Sequence, residues 1–165
     1  MSNYFISTGD RPYHLSVGAV VLNDHSEVLC HHFPILKVEK LTATDLFLLI
    51  RETLELGETL ETAIHRGLRE EAGVKAKIET YLGSHVSMFP RQEKVLQKTT
   101  LYFLCRLEKI DTTKRDPNDP EASSEILFLP IDVLIEKMKA QAARYGRTDL
   151  DEATVLERVK TLNRP

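Results

Sequence analysis

The sequence predicts an α/β fold, a mixed β-sheet covered by helices, and three observations carry that prediction. Short β-branched or wholly apolar runs flank one amphipathic segment; that segment, residues 59–72, repeats its apolar side chains at helical spacing; and the C-terminal end returns to helical patterning. At 165 residues the chain has the size of a single domain, and one domain over 1–165 is expected.

The run HLSVGAVVL, His14 to Leu22, is rich in β-branched residues and ends at the turn-like cluster Asn23-Asp24-His25-Ser26. Glu27 to Phe33 then resumes an apolar run, which makes a hairpin. Leu46 to Ile50 (LFLLI) is short and wholly apolar, the pattern of a strand buried on both faces. Residues 59–72, TLETAIHRGLREEA, are the best-marked element: Thr59 can cap a helix start, Leu60, Ile64 and Leu68 recur every four residues, and Gly73 can close the last turn. Lys77 to Phe89 and Thr99 to Leu107 read as two more strands, separated by Pro90-Arg91-Gln92-Glu93-Lys94, a loop or hairpin tip. Glu108 to Ser124 carries two prolines and many polar residues, so an exposed, mobile loop is expected there. Glu125 to Leu129 returns as a strand, and helices are expected over Ile131 to Ala143 and about Asp149 to Leu162.

A hydrophobic fraction of 42%, a charged fraction of 28% and a net charge of -3 describe a globular chain without bulk attraction to nucleic acid or acidic lipid. Any anionic substrate must be managed locally. Cys30 and Cys105 lie far apart in apolar runs, which reads as buried thiols rather than a disulfide, and they form no metal motif. The N-terminus has no basic region followed by an apolar stretch, and no segment approaches the roughly 20 apolar residues that cross a bilayer. A cytoplasmic location with no membrane partner is the resulting expectation.

Hydrolysing a pyrophosphate with magnesium needs closely spaced oxygen ligands, which a helix with clustered glutamates can supply. The segment Glu52 to Val74, ETLELGETLETAIHRGLREEAGV, resembles the Nudix box, G-x5-E-x7-R-E-U-x-E-E-x-G-U, where U is a bulky aliphatic residue. Glu58 meets the first glutamate, Arg66 the arginine, Leu68 the aliphatic position, Glu70 and Glu71 the paired glutamates, and Gly73 and Val74 the ending. Seven of the nine specified positions agree. The departures are Glu52, where the family has its opening glycine, and Gly67, where it has the glutamate that follows the arginine. Ile50-Arg51-Glu52 also stands where Pro-Gly-Gly often precedes the box. The order of hairpin, box, later strands and the Glu-rich approach to Phe128-Leu129-Pro130 is similar to the family's layout over most of residues 12 to 145.

The resemblance implies a Nudix-type α/β/α sandwich and a hydrolase of nucleoside diphosphate-linked substrates that uses Mg2+ or Mn2+. It implies Glu70 and Glu71 as metal ligands, Arg66 as an orienting residue, and Glu58 in a positioning or base role. Its partner would be a small-molecule nucleotide derivative, and relatives often pair as homodimers. His85 falls near where the family places substrate contacts, and Phe89 is a candidate to stack on a base, although an aromatic on a strand is more often core.

At 100° per residue, position 67 lies between Glu70 and Glu71 around the helix axis, so a glutamate there would complete a three-carboxylate patch. Gly67 removes that group and costs about 1 kcal/mol of helix stability relative to alanine. Two readings stay open. In one, the site works because Glu52, Glu55, Glu58, Glu121 or Glu125 restores the missing ligand or base, with Glu52 the third metal ligand beside Glu70 and Glu71. In the other, the chain is a nucleotide-binding or regulatory module that kept the shell and lost turnover. An Arg66–Glu70 salt bridge, four residues apart, would compete with metal, and Arg51 is expected to contact a substrate phosphate.

His65, His31 and His32 read as surface residues, and Tyr102 and Phe33 as core aromatics rather than base-stacking ones. Arg91, Lys94 and Lys98 with Phe89 nearby are the sole hint of a nucleic-acid stripe, and three cations in a polar stretch are more simply a solvated loop. Substrate choice belongs to loops outside the box, with 108–124 the expected selector.

Overall fold

The computed structural model describes residues 4–38, 41–91 and 93–162, apart from the side chains of Val38, Leu41, Phe89 and Arg91. The N-terminal hairpin is formed by β1 (Tyr13–Leu22) and β2 (Glu27–Val38). Asn23 sets its turn: the side-chain oxygen accepts the backbone N–H groups of His25 and Glu27, both at 2.9 Å.

The run LFLLI, expected as one strand, divides into two. β3 (Leu41–Leu48) pairs with β2, and β4 (Ile50–Thr53) pairs with β1. The change of partner falls at Leu49, whose N–H donates to the Glu152 carboxylate at 2.9 Å instead of to a strand. β5 (Val74–Arg91) and β6 (Lys94–Ile110) form a long hairpin whose last pair, Arg91 and Lys94, lies at its tip. Both outrun the sequence reading, because half-exposed strands carry polar residues on one face to their ends. β7 (Glu125–Pro130) pairs with β2.

β6 runs parallel to β1, from Tyr13 opposite Gln97 to Leu22 opposite Arg106, and every other pairing is antiparallel. The sheet is therefore mixed, in the order β3-β2-β1-β6-β5 with β4 on β1 and β7 on β2. Helix α1 (Leu60–Ala72) packs Ile64, Leu68 and Ala72 against Val17, Leu29 and Ile50 on one face. Helices α2 (Ile131–Tyr145) and α3 (Ala153–Leu162) pack Leu134, Met138, Leu156 and Val159 against Val20, Leu49 and Leu104 on the other. Each such side chain, buried to completion, contributes about 1.5–3 kcal/mol. The architecture is the α/β/α sandwich the sequence predicts.

α3 starts later than expected, because Glu152 turns into the core while Asp151 accepts the Ala153 N–H at 3.0 Å. The loop after β6 is largely exposed, as expected, but Arg115 within it lies partly buried and ties the loop to α1. Its Nε donates to the Glu71 carbonyl at 2.6 Å and its Nη1 to the Ser124 carbonyl at 2.7 Å. Cys30 and Cys105 are free and buried, and burial pushes both thiols up to about 12, which makes them inert. Among the described residues no helix is long and apolar enough to cross a membrane.

Candidate active site

Local chemistry fixes α1 at both ends. The Thr59 hydroxyl accepts the Thr62 N–H at 3.1 Å, and Gly73 closes the helix at φ 66°. A side chain at Gly73 would also run into the Asp111 carbonyl, so glycine is what lets the following loop lie against the helix end. Asp111 N–H donates to the Gly73 carbonyl at 2.8 Å, and Asp116 N–H to that of Glu70 at 2.9 Å.

Arg66 is the hub of the site. Its Nε and Nη2 donate to the two oxygens of Glu58, each at 3.0 Å, and Nη2 also donates to the Thr53 carbonyl at 2.8 Å. Nη1 lies 3.0 Å from Glu52 Oε2 and 3.7 Å from Glu70 Oε2. The Arg66–Glu70 bridge read from the sequence is thus the weaker of these contacts, because Glu52 and Glu58 come closer. Glu55, 4.0 Å away and largely exposed, contributes little. The Arg66 hydrogen bonds hold Glu58 below its ordinary range, and Arg66 engages both of its oxygens.

Glu71 is 3% exposed, and His31 Nε2 meets its Oε2 at 2.9 Å. Reading His31 as a surface residue is incorrect: it is fully buried, because helices cover β2 on both sides. Burial, followed by the Arg115 and Arg51 charges, pushes His31 down to about 3. It is neutral, so the His31–Glu71 contact is a hydrogen bond rather than an ion pair. Arg115 can only donate, and its Nη2 lies 2.9 Å from Ser124 Oγ. That hydroxyl also meets His31 Nδ1 at 2.7 Å, while His31 Nε2 meets Glu71. Arg115, Ser124, His31 and Glu71 thus form one hydrogen-bonded chain.

Burial raises Glu71 well above the usual carboxylate range, and the charges of Glu121, Glu52 and Asp119 raise it further. Glu121 is pushed up to about 7 by burial and then by the Asp119 side chain, and Glu52 is raised chiefly by burial. Four carboxylates, from β4, α1 and the 111–124 loop, thus crowd away from water. Hard oxygen donors in that arrangement suit a divalent cation. Among the described residues no three acidic, histidine or cysteine side chains close around one point, and Arg66 and His31 engage oxygens of Glu52 and Glu71. Glu125 stands apart, held by His32 Nδ1 at 2.9 Å.

Arg51 lies on the opposite sheet face from Glu52. Its Nε is 3.6 Å from Oε1 of the fully buried Glu152, which also accepts the Tyr102 hydroxyl. The side chain expected to meet a phosphate is thus mostly covered and has a carboxylate partner. The strand register places Thr53, Ser16, Thr100 and His85 in one row across this face, and Lys98 in the next. Ser16 and Thr100 hydroxyls meet at 3.1 Å, and His14 Nε2 meets the Thr53 hydroxyl at 3.1 Å. His85 Nε2 is buried without a hydrogen-bond partner among the described residues. Burial, then the Arg51 charge, pushes Lys98 down to about 8.

Of the cations weighed as a basic stripe, Lys98 turns into the sheet face, and the exposed Lys94 donates to the Gly9 carbonyl. Tyr102 and Phe33 are core residues, as read from the sequence. His65 is exposed, while His32 is partly covered and stacks on Phe47. The side chains of Phe89 and Arg91 lie outside the described residues. Sequence reasoning missed His31, Ser124, Arg115 and Asp119. A cavity of about 190 Å3 beside Arg69, Lys75, Lys109 and Lys114 includes none of the four crowded carboxylates.

A family model described as the NUDIX domain matches residues 12–148. Among solved structures the fold is similar to a NUDIX hydrolase from Nitrosomonas europaea, with a TM-score of 0.64, 15% identity, and 91% of this chain and 90% of that chain covered. It is also similar to a MutT protein from Methanosarcina mazei Go1, with a TM-score of 0.58, 15% identity, and 92% and 95% covered. A third similar structure is a C. elegans Ap4A hydrolase binary complex, with a TM-score of 0.59, 12% identity, and 90% and 96% covered. No curated protein matches the sequence.

Proposed function

The chain belongs to the Nudix family, and from that premise we propose that it is a divalent-metal-dependent hydrolase of nucleoside diphosphate-linked pyrophosphates, acting as one domain over 1–165. The observation that carries the reading is the gathering of Glu52, Glu58 and Glu70 on the Arg66 guanidinium, beside a buried Glu71. Glu70 and Glu71 are the ligands on α1 that would hold the ion, with Glu121 facing them from the loop. Magnesium or manganese, when bound, neutralises phosphate charge and lowers the pKa of a coordinated water.

The remaining work belongs to the chain's own side chains. Arg66 orients Glu70 and is itself locked by Glu58 and the Thr53 carbonyl. His31 Nε2 holds Oε2 of Glu71 in place. Substrate recognition falls to the polar sheet face: His85 brings an unpartnered nitrogen, Lys98 and Arg51 bring positive charge, and Phe89 on the same strand is retained as a stacking candidate. The two buried free thiols support a reducing, cytoplasmic setting.

A second reading, a nucleotide-binding module without turnover, draws on the hydrogen bonds by which Arg66 and His31 already occupy Glu52, Glu58 and Glu71. The test is product release from a panel of nucleoside diphosphate derivatives with Mg2+ or Mn2+, comparing wild type with Glu71→Gln. Metal-dependent turnover that the substitution abolishes supports the hydrolase. Nucleotide binding by calorimetry, with no turnover anywhere in the panel, would overturn it in favour of the module.

A further inference from the structure

The two departures from the box meet in space. Glu52 stands on β4 where the box has glycine, and Gly67 stands on α1 where it has glutamate. A Cβ added at Gly67 would lie 2.7 Å from Cβ and 3.3 Å from Cγ of Glu52, well inside the roughly 3.5–4.0 Å at which carbons pack. The stem of Glu52 therefore runs through the volume that a side chain from position 67 would fill. The same point is 3.4 Å from Glu71 Oε1, so that stem enters beside the Glu71 carboxylate.

The carboxylate of Glu52 is held as well as placed. Oε2 meets Arg66 Nη1, the nitrogen that also faces Glu70, and Oε1 accepts the Thr53 N–H at 2.7 Å. We propose that Glu52 is a metal ligand that delivers from β4 the carboxylate missing from α1, and that Gly67 stays small to admit it. Glutamate and glycine have exchanged places between strand and helix, and the ion-facing charge is conserved. Either half alone fails: glutamates at both positions collide at their stems, and glycines at both leave a gap and a lost ligand. The helix cost of Gly67, about 1 kcal/mol, thereby gains a structural reason.

This inference rests on the metal-dependent reading of the site, and the experiment separates the two. Mn2+ binding to the full chain is measured by electron paramagnetic resonance without substrate, alongside thermal unfolding, for wild type, Glu52→Gln, Glu71→Gln, Gly67→Glu and the double variant Glu52→Gly/Gly67→Glu. Glu52→Gln keeps the stem and so keeps the fold, while Mn2+ binding weakens at least about tenfold. Gly67→Glu lowers the unfolding temperature, and the double variant regains both stability and wild-type-like Mn2+ binding. Wild-type binding in Glu52→Gln, with binding lost in Glu71→Gln, overturns the exchange and leaves the metal site standing. A double variant no better than Gly67→Glu, or a Gly67→Glu protein as stable as wild type, overturns it too. Unchanged binding in every variant, or no binding by wild type, overturns both readings.

Discussion

Gly67→Ala is the smallest change that probes the contact between α1 and β4. In an ordinary helix interior, replacing glycine by alanine stabilises by about 1 kcal/mol. Here the new methyl would sit 2.7 Å from Glu52 Cβ, an atom fixed by the β4 backbone that no rotamer can move aside. Strand or helix must shift, and overpacking of that kind costs about 1–3 kcal/mol. The expected net effect is therefore a destabilisation of roughly 0–2 kcal/mol, the difference of the two terms. Glu52→Ala retains the Cβ, so Gly67→Ala keeps this penalty in that background. Glu52→Gly removes the Cβ, and there the same alanine stabilises by about 1 kcal/mol. Urea unfolding followed by circular dichroism, in EDTA to exclude metal, reads all six proteins as a double-mutant cycle. A Gly67→Ala effect that is equal and stabilising in all three backgrounds refutes the steric argument.

Further expectations concern the shell around Glu71 and Arg66. His31→Ala leaves Glu71 without its imidazole partner, while Ser124 keeps Arg115, and destabilises by about 1–3 kcal/mol, read by urea unfolding. Because the folded pKa of His31 is about 3, below its ordinary 6.5, its contribution is present above 6.5 and is lost as pH falls toward 3; His31→Ala should flatten that acid limb. Arg66→Lys loses the two-pronged grip on Glu58 and lowers metal-dependent turnover at least about tenfold, with unfolding midpoints showing that the fold persists. Glu121 has the opposite sign to His31: its folded pKa of about 7 exceeds the unfolded value, so its stability contribution, complete below about 4.5, is lost as pH rises through 7. Mg2+ binds the deprotonated carboxylates, so the melting-temperature gain from Mg2+ over EDTA should widen from pH 5 to pH 8; a constant gain contradicts the assignment.

Elements with local signals were legible in the sequence. Thr59 and Gly73 mark the ends of α1 with caps that need no distant partner, and Asn23 sets the first hairpin through its own turn. The division of LFLLI was not legible, because the Leu49 N–H finds its acceptor in Glu152, far along the chain. His31 escaped for a related reason. A strand covered on both faces loses its alternation, so nothing in the local pattern separates a buried polar residue from an exposed one. Arg115 sits in a polar, proline-bearing stretch that reads as solvent-facing, and only the helix end it clamps reveals its place. The two box departures were visible as letters, but their complementarity depends on a strand and a helix meeting at one contact.

The central claim is that this Arg66-centred group of carboxylates directs water onto a phosphorus atom. The most direct measurement is 31P NMR of the products formed from a nucleoside diphosphate derivative in 18O-enriched water with Mg2+. The account predicts an isotope-shifted phosphate resonance in one product from wild type and none from Glu71→Gln. Products without 18O on phosphorus, or an identical label in both proteins, would contradict it.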